Sequence, residues 1–187
     1  MSGSADSEEW IGDVIDFWFW ELGRERWFRK DPAIDARIRQ RFLLLYEVLS
    51  TWPAADALMS PERALATVIV LDQLPRNMFR GSPQAFATDA LALKVARAAV
   101  EKGLDRALTP EQRSFLYMPF EHSEDAGDQA RAVALISGLG DPEFTRFAIA
   151  HKNIIQRFGR FPHRNAVLGR PSTPAERAFL KEPGSAF

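Results

Sequence analysis

Six of the chain's twelve prolines directly follow Ser, Thr or Asp: Asp31-Pro32, Ser60-Pro61, Ser82-Pro83, Thr109-Pro110, Asp141-Pro142 and Thr173-Pro174. Each pair predicts a helix start. Proline at the first helical position has no N–H to leave unpaired and its φ is already helical, while the preceding side-chain oxygen accepts from an orphan amide. Thr109 with Gln112 and Thr173 with Glu176 add the spacing of a reciprocal capping box. A chain punctuated in this way has little room for strands, and no convincing alternating segment is found.

The apolar periodicity between these marks agrees. Trp10, Ile11, Val14, Ile15 and Trp18 share one face of a first helix with a polar entry near Asp6 or Ser7; Ile34, Ile38, Phe42, Leu45 and Leu49 do so for a second. Residues 64–74 are apolar nearly all round, which predicts a central helix. Residues 87–102 end at Gly103 in the position of a left-handed cap. Segments 113–118, 124–137, 143–158 and 174–181 complete the set. Proline is expected to stop or kink the chain at Pro75, Pro119 and Pro162. The expected fold is all-α: one domain over 1–187 with about eight helices in antiparallel hairpins, a tetratricopeptide-like helical array without regular sequence repeats. Residues 1–6 are expected to form a flexible N-terminus.

The 187 residues are 46% hydrophobic, enough for a core that needs no staples, and contain no cysteine. Disulfides, thiolate metal sites and cysteine nucleophiles are thereby excluded, and a reducing compartment is permitted. No apolar run is long enough to span a bilayer, and the first residues lack the basic and apolar regions of a leader; a cytoplasmic protein without membrane attachment is expected. Charge is unevenly placed. Residues 144–175 hold six Arg or Lys and no acid, leaving −7 on the remainder of a chain whose total is −1. The tract either neutralises the acidic stretch Glu121, Glu124, Asp125 and Asp128 just before it or lines a basic pocket.

Asp72, Gln73, Arg76, Asn77 and Arg80 gather around Pro75 at the end of the central helix. A charge beside a buried helix needs a partner, so these residues are either a structural clamp or forked donors for a carboxylate or phosphate. His151 shares a stripe with Phe144, Phe147, Ile154 and Phe158 and is read as a hydrogen-bonded core residue. His122, after the Pro119 break and before Glu124, and His163, among arginines, are the better candidates for proton transfer. No metal site is expected, since no local ligand pair or loop of the known kinds is present, and no cofactor is indicated. Arg160, Phe161, Arg164 and Arg170 combine cations with rings, but a net acidic remainder disfavours nucleic acid. The aromatic load at the front, from Trp10 to Phe28, exceeds what one helix face can bury, so some rings are expected to line a groove or meet a partner.

The tracts 14–19, 71–81 (Leu-Asp-Gln-Leu-Pro-Arg-Asn-Met-Phe-Arg-Gly), 87–89, 115–124 and 157–165 (Arg-Phe-Gly-Arg-Phe-Pro-His-Arg-Asn) closely resemble the bacterial domain-of-unknown-function family 924. The likeness runs over nearly the whole chain and implies a tetratricopeptide-like helical fold; it implies no activity, catalytic residue or cofactor. Met118 and Glu121 depart mildly from the family's more usual residues around Pro119.

From the residues themselves, the leading expectation is a cationic pocket for a small anionic ligand where segments 72–80, 121–125 and 151–170 meet. Asp72, Arg76, Asn77, Arg80, Glu121, Glu124, Arg160, Arg164 and Asn165 would bind, and His122 or His163 would move a proton. The alternative is a non-enzymatic module whose helical surface holds a peptide or protein partner.

Overall fold

The computed structural model describes residues 8–185, and among these the chain is helical with no strand. The described residues form nine α-helices joined by short loops and by 3-10 or π-helical turns: α1 (Glu9–Asp16), α2 (Pro32–Leu49), α3 (Pro61–Val68), α4 (Leu74–Met78), α5 (Asp89–Glu101), α6 (Pro110–Glu121), α7 (Ala126–Ser137), α8 (Pro142–Phe158) and α9 (Pro174–Phe179). The flexible N-terminus expected at residues 1–6 and the polar entry near Asp6 or Ser7 lie outside the described residues. All six Ser/Thr/Asp-Pro pairs cap as expected. The side chains of Asp31, Ser60, Ser82, Thr109, Asp141 and Thr173 each accept from a first-turn amide, and both capping boxes form.

The central rod is α3, whose residues Ala64, Leu65, Ala66 and Val68 are fully buried. It packs against α1, α5 and α6; α6 packs on α7 and α7 on α8, so the chain folds back on itself repeatedly. A separate small cluster of Ile154, Ile155, Phe161 and Phe179 ties the C-terminal segment to α8.

Two expected breaks are corrected. The chain does not stop at Pro75. A π-helical turn, Ile69–Gln73, leads from α3 straight into α4, and Pro75 lies at the start of α4. Proline there has no N–H for the carbonyl four residues earlier. That carbonyl, on Leu71, instead accepts from the Thr88 hydroxyl at 2.5 Å. Pro119 is likewise inside α6, which continues to Glu121 because every residue from Ser114 to Glu121 is buried and packing overrides the local penalty. His122 then closes the helix as its C-cap. The helix expected over 124–137 starts two residues later, behind an Asp125 cap. Gly103 and Gly159 adopt the left-handed conformation that ends α5 and α8.

Candidate functional site

The π turn places Asp72 under α6, fully buried. An isolated carboxylate there would be costly, and it is surrounded by donors. His122 Nδ1 lies 2.8 and 2.9 Å from its two oxygens, Gln73 Nε2 donates to Oδ2 at 2.5 Å, and Arg76 Nη1 stands 3.5 Å from Oδ1. Burial works to raise the Asp72 pKa, but Arg76 and His122 outweigh it and hold the carboxyl far below its ordinary range. With Asp72 ionised, Nδ1 of His122 carries the proton and Nε2 is the ring's basic nitrogen. Nε2 makes no hydrogen bond to any described residue. Burial first, then Arg76, pushes the His122 pKa down, so the imidazole is neutral near pH 7.

Arg76 spans two acids. Its Nη1 and Nη2 donate to Asp89 Oδ1 and Oδ2, both at 3.0 Å, in the bidentate form, and Nη1 also donates to the Asp72 carbonyl. Asp89 opens α5, where a helix N-terminus favours negative charge. Arg80 grips Asp35 through Nε and Nη2 at 2.8 and 2.9 Å, with Asn77 Nδ2 donating to the same carboxylate.

Arg164 is different. Its side chain is only 8% exposed, yet its one hydrogen bond to a described residue is a long 3.4 Å contact from Nη1 to Asp89 Oδ2, already held by Arg76. Nε is buried without a partner among the described residues. The guanidinium lies between Phe86 and Phe161, 4.7 and 4.6 Å from their ring centres. Burial and then the neighbouring Arg76 lower its pKa to about 10. His163, one residue earlier, is pushed to about 3, again by burial first and then by Arg164.

These groups share a cavity of about 560 Å³. Arg76, Asn77 and Arg80 from the α4 end, Glu121 and His122 from the end of α6, and His163 and Arg164 from the loop after α8 all line it, with Asp72 directly beneath His122. Three other residues expected at the site lie elsewhere, with their polar groups engaged in fixing the C-terminal loop. Glu124 accepts from the Phe161 amide at 2.8 Å and from Arg170 at 2.7 and 2.9 Å. Arg160 forks onto Glu176 at 2.6 and 2.9 Å and reaches the Pro171 carbonyl. Asn165 donates to Ser172 and accepts from Arg170. Together they hold the loop that presents His163 and Arg164.

His151, read as a core histidine, is buried and lines the same cavity, its Nδ1 2.8 Å from Glu121 Oε1 and 2.9 Å from the Phe147 carbonyl. Its ring centre is 6.1 Å from that of His122. Trp27, Phe28, Met118 and Phe144 form an apolar wall for which the sequence carries no site motif. Its only signal there was the excess of rings near the front. Among the described residues, no group of three acidic or histidine side chains is spaced to hold a metal ion, and no helix is long and apolar enough to cross a membrane.

A family model described as bacterial protein of unknown function (DUF924) matches residues 14–184. A solved structure of a protein of unknown function from Agrobacterium tumefaciens is 40% identical, with a TM-score of 0.87 over 91% of this chain and 96% of that one. No curated protein matches the chain.

Proposed function

We propose, for a chain that belongs to the bacterial family of unknown function DUF924, that its cavity binds a small anionic ligand, a carboxylate or phosphate, beside Arg76 and Arg164. The observation that carries this reading is the Arg164 guanidinium. It is buried beside a second arginine with one long hydrogen bond to a described residue, although it has five N–H donors to satisfy. A bound anion would supply the missing acceptors and offset the repulsion between the two cations. The Asp72–His122 pair supports proton transfer at His122 Nε2 as the chemistry of the site, because a buried carboxylate fixes the tautomer and would stabilise the imidazolium once formed. His163, neutral and in the same cavity, is the second proton-transfer candidate. The back-and-forth packing of α6, α7 and α8 supports a tetratricopeptide-like arrangement of the scaffold.

The test is Arg164→Met, with acetate, phenylacetate and inorganic phosphate as probes in thermal-shift and calorimetric titrations. Wild type is stabilised by at least one of them. The variant folds in anion-free buffer with a melting temperature equal to or above that of wild type, since it loses a poorly paired buried charge, and it no longer responds. An equal response in both proteins, or none in wild type, would end this reading.

A further inference from the structure

We infer that the anion this cavity selects is a monocarboxylate joined to an aromatic or branched apolar group, its carboxylate at Arg76 and Arg164 and its apolar part against Phe28, Phe144 and Met118. This deepens the anion reading above and rests on it.

Two features of the cavity lead there, and the first is its charge. Arg76 and Arg164 face Asp72 and Asp89, so the inner end holds two guanidinium groups against two carboxylates, with Glu121 adjoining. Arg80 is committed to Asp35. A dianion entering this region meets more repulsion than one negative charge does, and the planar fork left on Arg164 matches a carboxylate. The neutral state of His122 and His163 agrees with a singly charged guest.

The second feature is the opposite wall. Phe28 is 61% exposed although it lies among other rings, its own plane 17° from that of Phe115 at 6.4 Å and edge-on to Phe144 at 6.4 Å. The core holds such a ring in place while leaving its outer side to water, and the cavity runs beside it. The volume corresponds to on the order of twenty waters. A bare acetate or phosphate would fill a small part of that and leave the rings wet. Cavities of this size take ligands whose apolar part covers such a wall while a few polar groups fix their orientation.

The probes that separate these ideas are phenylacetate, acetate, inorganic phosphate and the uncharged 2-phenylethanol, titrated calorimetrically into the full chain and into Phe28→Ala, a change at an exposed ring; circular dichroism and the melting temperature verify its fold. Phenylacetate is expected to bind wild type at least about tenfold more tightly than acetate, phosphate or phenylethanol. Phe28→Ala should shrink the phenylacetate-to-acetate ratio several-fold and leave acetate itself unchanged. If acetate or phosphate binds as tightly as phenylacetate, or the ratio survives in Phe28→Ala, the apolar half of the inference is overturned and the anion reading stands. If phenylethanol equals phenylacetate, or none of the three anions binds, both fall.

Discussion

His122 and Asp72 are fifty positions apart in the chain, yet Nδ1 of the ring lies within 2.9 Å of both oxygens of the carboxylate. The contact joins the π turn that follows the central helix to the C-cap of α6. It has a structural and a chemical consequence, since the same carboxylate also faces Arg76. Asp72→Asn keeps the shape and removes the charge. Breaking a buried pair of this kind costs about 3 kcal/mol, and urea unfolding of the variant should show a loss of that order. The amide can accept from or donate to Nδ1, so the ring is no longer held in one tautomer. Nitrogen NMR of the histidines should report a single Nδ1–H form for His122 in wild type and a mixture in the variant; a single unchanged form would show that Asp72 does not set the proton.

Acid should weaken the fold earlier than carboxylate titration alone would require. The folded protein keeps His163 neutral down to about pH 3, because burial and then Arg164, His151, His122 and Arg76 all oppose its charge, and it also lowers the His122 pKa. In the unfolded chain these rings take up protons near pH 6.5. Below that pH the unfolded state binds more protons than the folded one, so stability is fully present above about 6.5 and falls as pH drops toward the folded values. His163 contributes at most about 1.4 kcal/mol per pH unit in that window. Urea midpoints between pH 7.5 and 4.5 should decline accordingly, and His163→Asn should flatten part of the slope. A flat wild-type profile over that range would contradict the neutral ring.

What the sequence made legible was local. A cap such as Thr109 with Gln112 needs only four residues to be recognised, and it forms as read. Pro75 does not end the helix as its local sequence predicts, because the partner of the carbonyl that it leaves, Thr88, comes from another part of the chain, and no local rule reports that hydroxyl. The same division runs through the site. Arg76, His122 and Arg164 stand out as polar groups at the ends of apolar runs, whereas Arg160 has the same residue type and neighbourhood and is distinguished only by Glu176 arriving from α9. Asp89 carries no local signature of a site, and Phe28 only the excess of rings near the front. Their part depends on α5 and the segment before α2 converging on the ends of α4 and α6.

Thr88→Val tests the account of the proline. Valine fills the same volume without a donor, so the Leu71 carbonyl, inside the π turn, loses the hydroxyl that it accepts from. A buried acceptor without a partner costs about 1–3 kcal/mol, and equilibrium unfolding should show that loss. Hydrogen exchange should place it at residues 69–78 more than at α8. An unaltered midpoint would mean that the carbonyl is satisfied by some route other than Thr88.

Arg160→Gln separates the residues that hold the loop from those that face the cavity. Arg160 reaches Glu176, which also accepts from the Thr173 amide in the cap of α9. The Arg160 hydrogen bond and then that amide lower the Glu176 pKa to about 2. Glutamine is too short and too weak a donor to keep the fork, so α9 and the turn before it should lose protection against hydrogen exchange. The cavity ends remain in place, because Arg164 and His163 are also secured through Glu124, Arg170 and Phe161. Affinity for phenylacetate, or for whichever of acetate and phosphate stabilises wild type, should therefore change less than about twofold in Arg160→Gln, in contrast to its loss in Arg164→Met. A large affinity loss in Arg160→Gln with normal protection of α9 would reverse the assignment and put Arg160 in contact with the ligand.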